Sequence, residues 1–277
     1  MPLSFHAQRL RDALGVALFL PGIAGAMPPT LNESGQNAYR VFQQAEDHRA
    51  FAVAPGGGWG WSQGEASAKA AASAALDACQ PHSRHPCQLY AVGQRHVFDA
   101  RTWAHGWRPY ARPADTARAE TGPQRGQRFP NLTMTAPDGR TMSLADLRGH
   151  AVVLHFWGSW CPSCRHELPQ FAVLQQAFRN KPGLAFVFVP VRETVTAARA
   201  YLKQQKLALT LHDAGQTPQT QTFRDANGVL LPDRDIAPVF PATYVIDRHG
   251  GVVFSQRGSA PDWAAYAPLL EDLRRAR

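Results

Sequence analysis

The chain has 277 residues, 44% of them apolar, and a formal net charge of +8. That length leaves room for two domains, and after the N-terminal segment no apolar run is long enough for an ordinary transmembrane helix. The basic residues are scattered, with no basic helix and no aromatic–basic motif, so the charge reads as a solvated surface and argues against a nucleic-acid partner.

The N-terminus reads as an export signal over 1–26. Arg9 and Arg11 supply a basic start, Ala13 to Leu20 an apolar core, and Ala24-Gly25-Ala26 a small-residue cleavage site, so the mature chain is expected to begin at Met27. The apolar core is too short for a membrane anchor and is interrupted by Pro21 and Gly22, and no cysteine here could carry a lipid. Export to a bacterial periplasm or a comparable secreted space follows. The four cysteines, Cys79, Cys87, Cys161 and Cys164, suit such an oxidising compartment.

Residues 27–98 are expected to form a small accessory unit. A short helix carries Tyr39, Val41 and Phe42, and Ala50 to Ala54 reads as a strand. Gly56-Gly57-Gly58-Trp59-Gly60-Trp61 reads as a glycine-rich turn, lacking both the Gly-Lys-Ser/Thr of a phosphate loop and the spacing of a dinucleotide fingerprint. The alanine-rich run from Glu65 to Ala78 is expected to be a helix, and strands follow at Gln88 to Val92 and His96 to Phe98. Cys79 and Cys87, eight positions apart, would close a short loop as a disulfide. With His82 and His85 between them, the same residues could instead ligate zinc or copper if both thiols were reduced, and export favours the disulfide.

Residues 99–125 are rich in Arg, Ala, Pro and Thr and show no apolar period, so they read as a linker, with Trp103, Trp107 and Tyr110 packing back onto the first unit.

From 126 to 277 strands and helices alternate. Strands are expected at Asn131 to Thr135, Ala151 to His155, Leu184 to Val189, Leu209 to Leu211, Ala242 to Ile246 and Val252 to Phe254. Helices are expected from Ser143 to Leu147, Pro162 to Asn180 with a kink at Pro169, Val195 to Gln205, and Trp263 to Arg275 capped by Asp262. Ala214 to Phe240 reads as a long polar loop.

Trp160-Cys161-Pro162-Ser163-Cys164 lies where the Ala151 strand hands over to a helix. Helix N-terminal amides and the partial positive charge there favour a thiolate on the first sulfur. Cys161 is therefore the candidate nucleophile toward a disulfide in another protein, and Cys164, one turn on, the thiol that resolves the mixed disulfide. A structural zinc site would want a second ligand pair at the right spacing, and none follows. The sulfurs carry the electrons, so no cofactor is expected.

This half of the chain resembles the exported TlpA/ResA-like thioredoxins. The resemblance rests on Phe129-Pro130, Asp138-Gly139, Leu144 to Gly149, the Phe156-Trp157-x-x-Trp160-Cys161-x-x-Cys164 core, Glu167, Pro169, and Pro241 to Asp247 followed by Gly250-Gly251. It implies an α/β thioredoxin fold, a central mixed sheet flanked by helices, joined here to a small N-terminal α+β unit. It also implies a thiol–disulfide oxidoreductase, commonly a reductant that serves cytochrome c maturation or other periplasmic thiols and is recharged by a membrane electron carrier. By the same resemblance Pro241 should be a cis-proline facing the cysteines, with Phe240 beside it, and Glu167 an acid in the substrate groove that affects thiol acidity. On the residues alone Glu167 could equally be an exposed acid of the first helical turn. His155 stands where thioredoxin has a buried Asp and this family usually has Asn. Strand alternation puts it on the face of Val153 and Trp157, either as proton acceptor for Cys164 or as a hydrogen-bonded core histidine. The segment 48–98 resembles a small secreted strand–helix–strand domain with no assigned activity. The rival readings are a disulfide oxidant or isomerase, and a metal-handling binding protein. A peroxidase is disfavoured because its threonine-and-cysteine motif is missing.

Overall fold

The computed structural model describes residues 28, 31, 33–83, 85–99, 102–103, 106–108, 110–260 and 262–276. The expected export signal over 1–26, and Met27 after it, lie outside the described residues.

The N-terminal part is a three-layer unit built on alternation. Strand β1 (Ala50–Val53) is buried at every position. Its neighbours are β2 (Trp59–Ser62) on one side and β3 (Gln88–Val92) on the other, with β4 (Arg95–His96) beyond β3, all antiparallel. Side chains alternate across a strand. Phe51 and Val53 therefore face Tyr39 and Phe42 of α1 (Glu33–Gln44), together with Tyr90 and Trp103. Ala50 and Ala52 face Ala71, Ala75 and Cys79 of α2 (Ala68–Cys79), whose first turn is capped by Ser67. Alanine meets alanine on that side, so helix and sheet lie close. A Cβ on Gly60 would come within 2.3 Å of the Cys79 amide nitrogen, which is why β2 needs a glycine there. The glycine-rich stretch is thus not all turn: its second half is a strand, and only 54–58 reverses the chain. Cys79 and Cys87 are joined as a disulfide.

Residues 99–125 carry more structure than a linker. Helix α3 (Pro113–Arg118) opens with proline at its first position, and Arg112 pairs with Asp115 across its first turn. Thr116 is buried, and Arg128 accepts a main-chain bridge from this strap at Thr121. The aromatic residues divide between two cores. Trp103 packs against Phe98 in the N-terminal unit, as expected. Trp107 packs on both: its ring is 5.1 Å from that of His85 in the N-terminal unit, and it lies in the C-terminal core, edge-on to Phe254 at 5.1 Å. Tyr110 follows it, donating its hydroxyl to Asp272, which also takes a two-pronged hydrogen bond from Arg108. These anchors are single large side chains, which leave no period for a sequence pattern to show.

The C-terminal part begins with a hairpin, β5 (Thr133–Thr135) and β6 (Thr141–Ser143), followed by a single 3₁₀ turn closed by a Ser143–Asp146 capping box. The central strand β7 (Ala151–Trp157) is buried throughout. It pairs in parallel with β8 (Leu184–Pro190) and antiparallel with β11 (Ala242–Ile246), which pairs with β12 (Val252–Arg257). Helix α4 (Pro162–Phe178) follows β7, α5 (Val195–Gln204) follows β8, and α7 (Ala267–Arg275) closes the described chain. The sheet order β12-β11-β7-β8, with one parallel pair, two antiparallel pairs and flanking helices, is the thioredoxin fold. One face buries Val153 and Trp157 against Leu168, Phe171, Trp263 and Leu270. The other buries Val152, Leu154 and Phe156 against Phe129, Leu144, Phe223 and Ile236.

Three expectations need correction here. Leu209 to Leu211 is not a strand; only Leu211 forms a bridge, to Phe188, and the two leucines reflect packing on the core. The stretch 214–240 is not a plain loop, for it holds a second hairpin, β9 (Thr222–Arg224) with β10 (Leu230–Pro232), and a one-turn helix α6 (Asp233–Ile236). The final helix is α only from Ala267, after a 3₁₀ turn at Ala264–Tyr266, with the Asp262 carboxylate accepting from the Ala264 N–H.

Trp107→Ala is expected to lower the unfolding free energy by roughly 3–5 kcal/mol, as for deletion of a fully buried aromatic. Urea unfolding measures it, with Trp61→Ala, at a half-exposed indole, as the milder comparison.

Candidate active site

The site grows from the end of β7. A Cβ on Gly158 would meet the Trp160 indole at 2.2 Å, so the chain can fold Trp160 back over the turn only with glycine there. Cys161 then takes extended backbone angles as the N-cap of α4, and the Cys164 N–H donates to its Sγ at 3.2 Å. Pro162, at the first helical position, sacrifices no hydrogen bond because that amide has no partner in a helix. Cys161 and Cys164 are disulfide-bonded, with Cα atoms 5.2 Å apart. Cys161 is 4% exposed and Cys164 0%. The first-turn amides thus point at the outer sulfur while the inner one is packed against Trp157, Leu168 and Phe171.

Around the pair stand the expected neighbours. Trp160, 47% exposed, donates its indole N–H to the Val191 carbonyl at 2.9 Å and meets the Phe240 ring edge-on at 5.6 Å. The Phe240–Pro241 bond is cis. The Ser163 carbonyl accepts from the Ser259 hydroxyl, and the Gly258 N–H donates to the Pro241 carbonyl, so one loop after β12 touches both sides of the site.

Glu167 is on the helix face below Cys164, but it is neither in an open groove nor an exposed first-turn acid. It is fully buried, because the 258–260 loop covers it. One carboxyl oxygen accepts from the Ala260 N–H and the other has no partner. Burial raises its pKa to about 7, with the Ala260 N–H and Trp263 opposing the rise. His155 is also fully buried. Its Nδ1 pairs with the Thr243 hydroxyl at 2.8 Å, bridging β7 and β11, and its ring lies 4.3 Å from that of Phe171. Its Nε2 has no partner, and burial lowers it to about 3. So weak a base accepts a proton poorly at neutral pH, and the geometry is that of a hydrogen-bonded core histidine.

Three further residues reach the site and were not singled out from the sequence. Glu193, nearly buried, accepts from the Ser159 N–H at 2.6 Å and the Ser159 hydroxyl at 2.5 Å. Arg192, at φ 57°, donates to both oxygens of the buried Asp233 carboxylate at 2.8 and 3.0 Å and lies over the Phe240 ring at 5.6 Å. Asp233 comes from α6, inside the stretch read as loop. The one usable sequence signal is position: Arg192 and Glu193 follow directly after β8, at the carboxyl end of a parallel strand, where α/β sheets place functional groups.

Cys79, His82, His85 and Cys87 do not assemble as ligands. The cysteines are bonded to each other, the His85 ring packs on Trp107, and burial pushes His85 down to about 4. Among the described residues no group of three or more His, Cys, Asp or Glu side chains is arranged to hold a metal.

Residues 125–255 match the AhpC/TSA family. The thiol-disulfide oxidoreductase ResA of Bacillus thuringiensis subsp. konkukian is 27% identical over 133 residues, 48% of this chain and 69% of its own. The thioredoxin-like protein YneN of Bacillus subtilis is 27% identical over 146 residues, 52% of this chain and 76% of its own. A crystal structure of a thiol:disulfide interchange protein of the thioredoxin family from Chlorobium tepidum aligns with 53% of this chain and 95% of its own, at 25% identity and a TM-score of 0.39.

The two buried ionisable groups give opposite pH dependences. Glu167 titrates near 7 when folded against 4.5 when unfolded, so between those values the folded state holds the extra proton and its stabilising effect is lost as pH rises. His155 titrates near 3 against 6.5, so its effect is lost as pH falls through that window. Relative to the wild type, the unfolding free energy of Glu167→Gln should rise from pH 4.5 to 7.5, the difference growing to about 3 kcal/mol. Identical slopes would contradict a protonated Glu167.

Proposed function

We propose that residues 125–255, the part that matches the AhpC/TSA family, are a thioredoxin-like thiol–disulfide oxidoreductase domain, and that the chain is an exported reductant of protein disulfides. The observation that carries the exchange chemistry is the asymmetry of the pair: Cys161, 4% exposed, is the N-cap of α4 with its sulfur on a first-turn amide, and Cys164 is fully buried inside the helix.

In the dithiol form the Cys161 thiolate attacks one sulfur of a substrate disulfide. A mixed disulfide forms, and the substrate's other sulfur leaves as a thiolate and takes up a proton. Cys164 gives up its proton and attacks the Cys161 sulfur, releasing the second substrate thiol and closing the Cys161–Cys164 disulfide. The substrate gains two electrons and two protons, and the protein loses them. A membrane electron carrier of the kind that serves exported thioredoxins restores the dithiol. Pro241 has no N–H to offer, and the backbone next to it pairs with an extended substrate segment. Trp160 and Phe240 form the apolar wall of that groove. Residues 27–98 are an accessory unit strapped to this domain by 99–125. The periplasm suits both the chemistry and the expected signal; among the described residues no helix is long and apolar enough to cross a membrane.

Cys164→Ser is expected to accumulate reducible mixed disulfides with its natural partners, whereas Cys161→Ser traps none. Equal trapping by the two variants would reverse the roles. The reduction potential tests direction: a value near that of thioredoxin, about −270 mV, supports a reductant, and one near that of DsbA, about −120 mV, makes the protein an oxidant.

A further inference from the structure

The segment Val191–Glu193 grips both lips of the redox site. Its first residue takes the Trp160 indole N–H on its carbonyl and donates its own N–H to the Trp157 carbonyl. Its second stacks on Phe240 and is locked by Asp233. Its third, Glu193, holds Ser159 by both the main-chain N–H and the hydroxyl. Ser159 lies two residues before Cys161, and Cys161 itself donates its N–H to the Gly158 carbonyl, so the turn that Glu193 holds is the turn that sets the nucleophile. Each acceptor in this clamp is spoken for, and among the described residues neither Glu193 oxygen pairs with a cation; the adjacent Arg192 is turned to Asp233.

We propose that Glu193 is a positioning residue for Cys161 that also makes the protein a stronger reductant, by setting a nearly buried carboxylate against the turn that carries the sulfur. This rests on the oxidoreductase reading of the site. The physical argument has two parts. Two hydrogen bonds to one carboxylate fix the turn, so the sulfur is presented in one geometry. A negative group held close by, in a partly desolvated setting, opposes the stabilisation that the α4 amides give to a Cys161 thiolate. Destabilising that thiolate destabilises the reduced protein relative to its disulfide, which lowers the reduction potential; the strong oxidant DsbA shows the reverse, its reduced form being stabilised.

The test uses the full mature chain and the balanced exchange in which the protein disulfide and two glutathione thiols give the protein dithiol and one glutathione disulfide. Glu193→Gln keeps the shape and the acceptor for the Ser159 N–H but removes the charge. It is expected to move this equilibrium about tenfold toward the dithiol, about 30 mV in potential, and to lower the pH at which the Cys161 thiolate forms. Ser159→Ala, which removes one hydrogen bond and leaves the charge, is expected to keep the equilibrium and slow attack on a small disulfide at equal thiolate fraction. Glu193→Asp should restore the wild-type equilibrium in part. Wild-type equilibrium and thiolate titration in both Glu193→Gln and Glu193→Ala would overturn the proposal while leaving the oxidoreductase reading standing. A wild-type protein that exchanges with no disulfide would overturn both.

Discussion

Everything at the site depends on one abrupt change of structure, where β7 stops being a strand and α4 starts being a helix. A strand buried on both faces and paired on both edges has no freedom to slip, since a shift of one residue would turn its whole apolar set to the wrong face. Its end point is therefore fixed, and so is the place where the first-turn amides of α4 emerge. Those amides have no partner within the helix. The Cys161 sulfur accepts one of them, and the reactivity read from the motif is a consequence of that unmet demand. The surrounding pieces hold the change of direction in place: Gly158 makes room for Trp160, the 191–193 segment ties the turn, and the loop after β12 reaches both α4 and Pro241.

The same core carries two ionisable groups with no opposite charge paired to them. His155 and Glu167 are each fully buried and each makes a single hydrogen bond. Burial disfavours the charged form of either, which lowers the basicity of the histidine and raises the affinity of the carboxyl for its proton. The consequences differ. His155 is neutral across the neutral range and serves to cross-link two strands. Glu167 lies near its midpoint there, one helical turn below Cys164, so its charge is the more responsive to whatever happens to the pair above it.

Much of this was legible in the sequence because it is written locally. The Cys161-x-x-Cys164 pair, the apolar run of β7, the 3.6-residue pattern of α4 and the two late strands are each complete within a short window. Glu167 shows where such reading stops: the helix period places it on the right face, but its burial comes from a loop more than ninety positions away. Trp107 packs on the first unit through His85 as expected, but its place in the C-terminal core is not legible, because one indole among arginines and prolines has no periodic neighbours to declare a second side. The 214–240 stretch hid a hairpin because its strands span only Thr222–Arg224 and Leu230–Pro232, too short for alternation to show. Leu209 to Leu211 failed in the opposite direction, since apolar side chains signal burial and a strand also needs a partner ladder. Glu193 and Asp233 are ordinary acids in sequence, and only their partners distinguish them.

Trp107 also shows how the accessory unit is attached. On one side of its indole is His85, in the loop closed by Cys79 and Cys87, and on the other is Phe254 of β12. A flexible tether would leave both units free to turn. A large ring shared between a cross-linked loop and a core strand does not, because moving it exposes apolar area on both sides at once. Tyr110 and Arg108 add a second point of attachment at Asp272 of α7. The strap thus fastens to β12 and α7, the last strand and helix of the thioredoxin fold. The attachment reaches the redox site through the chain itself, since β12 runs on from Phe254 into the loop that touches Pro241 and Glu167.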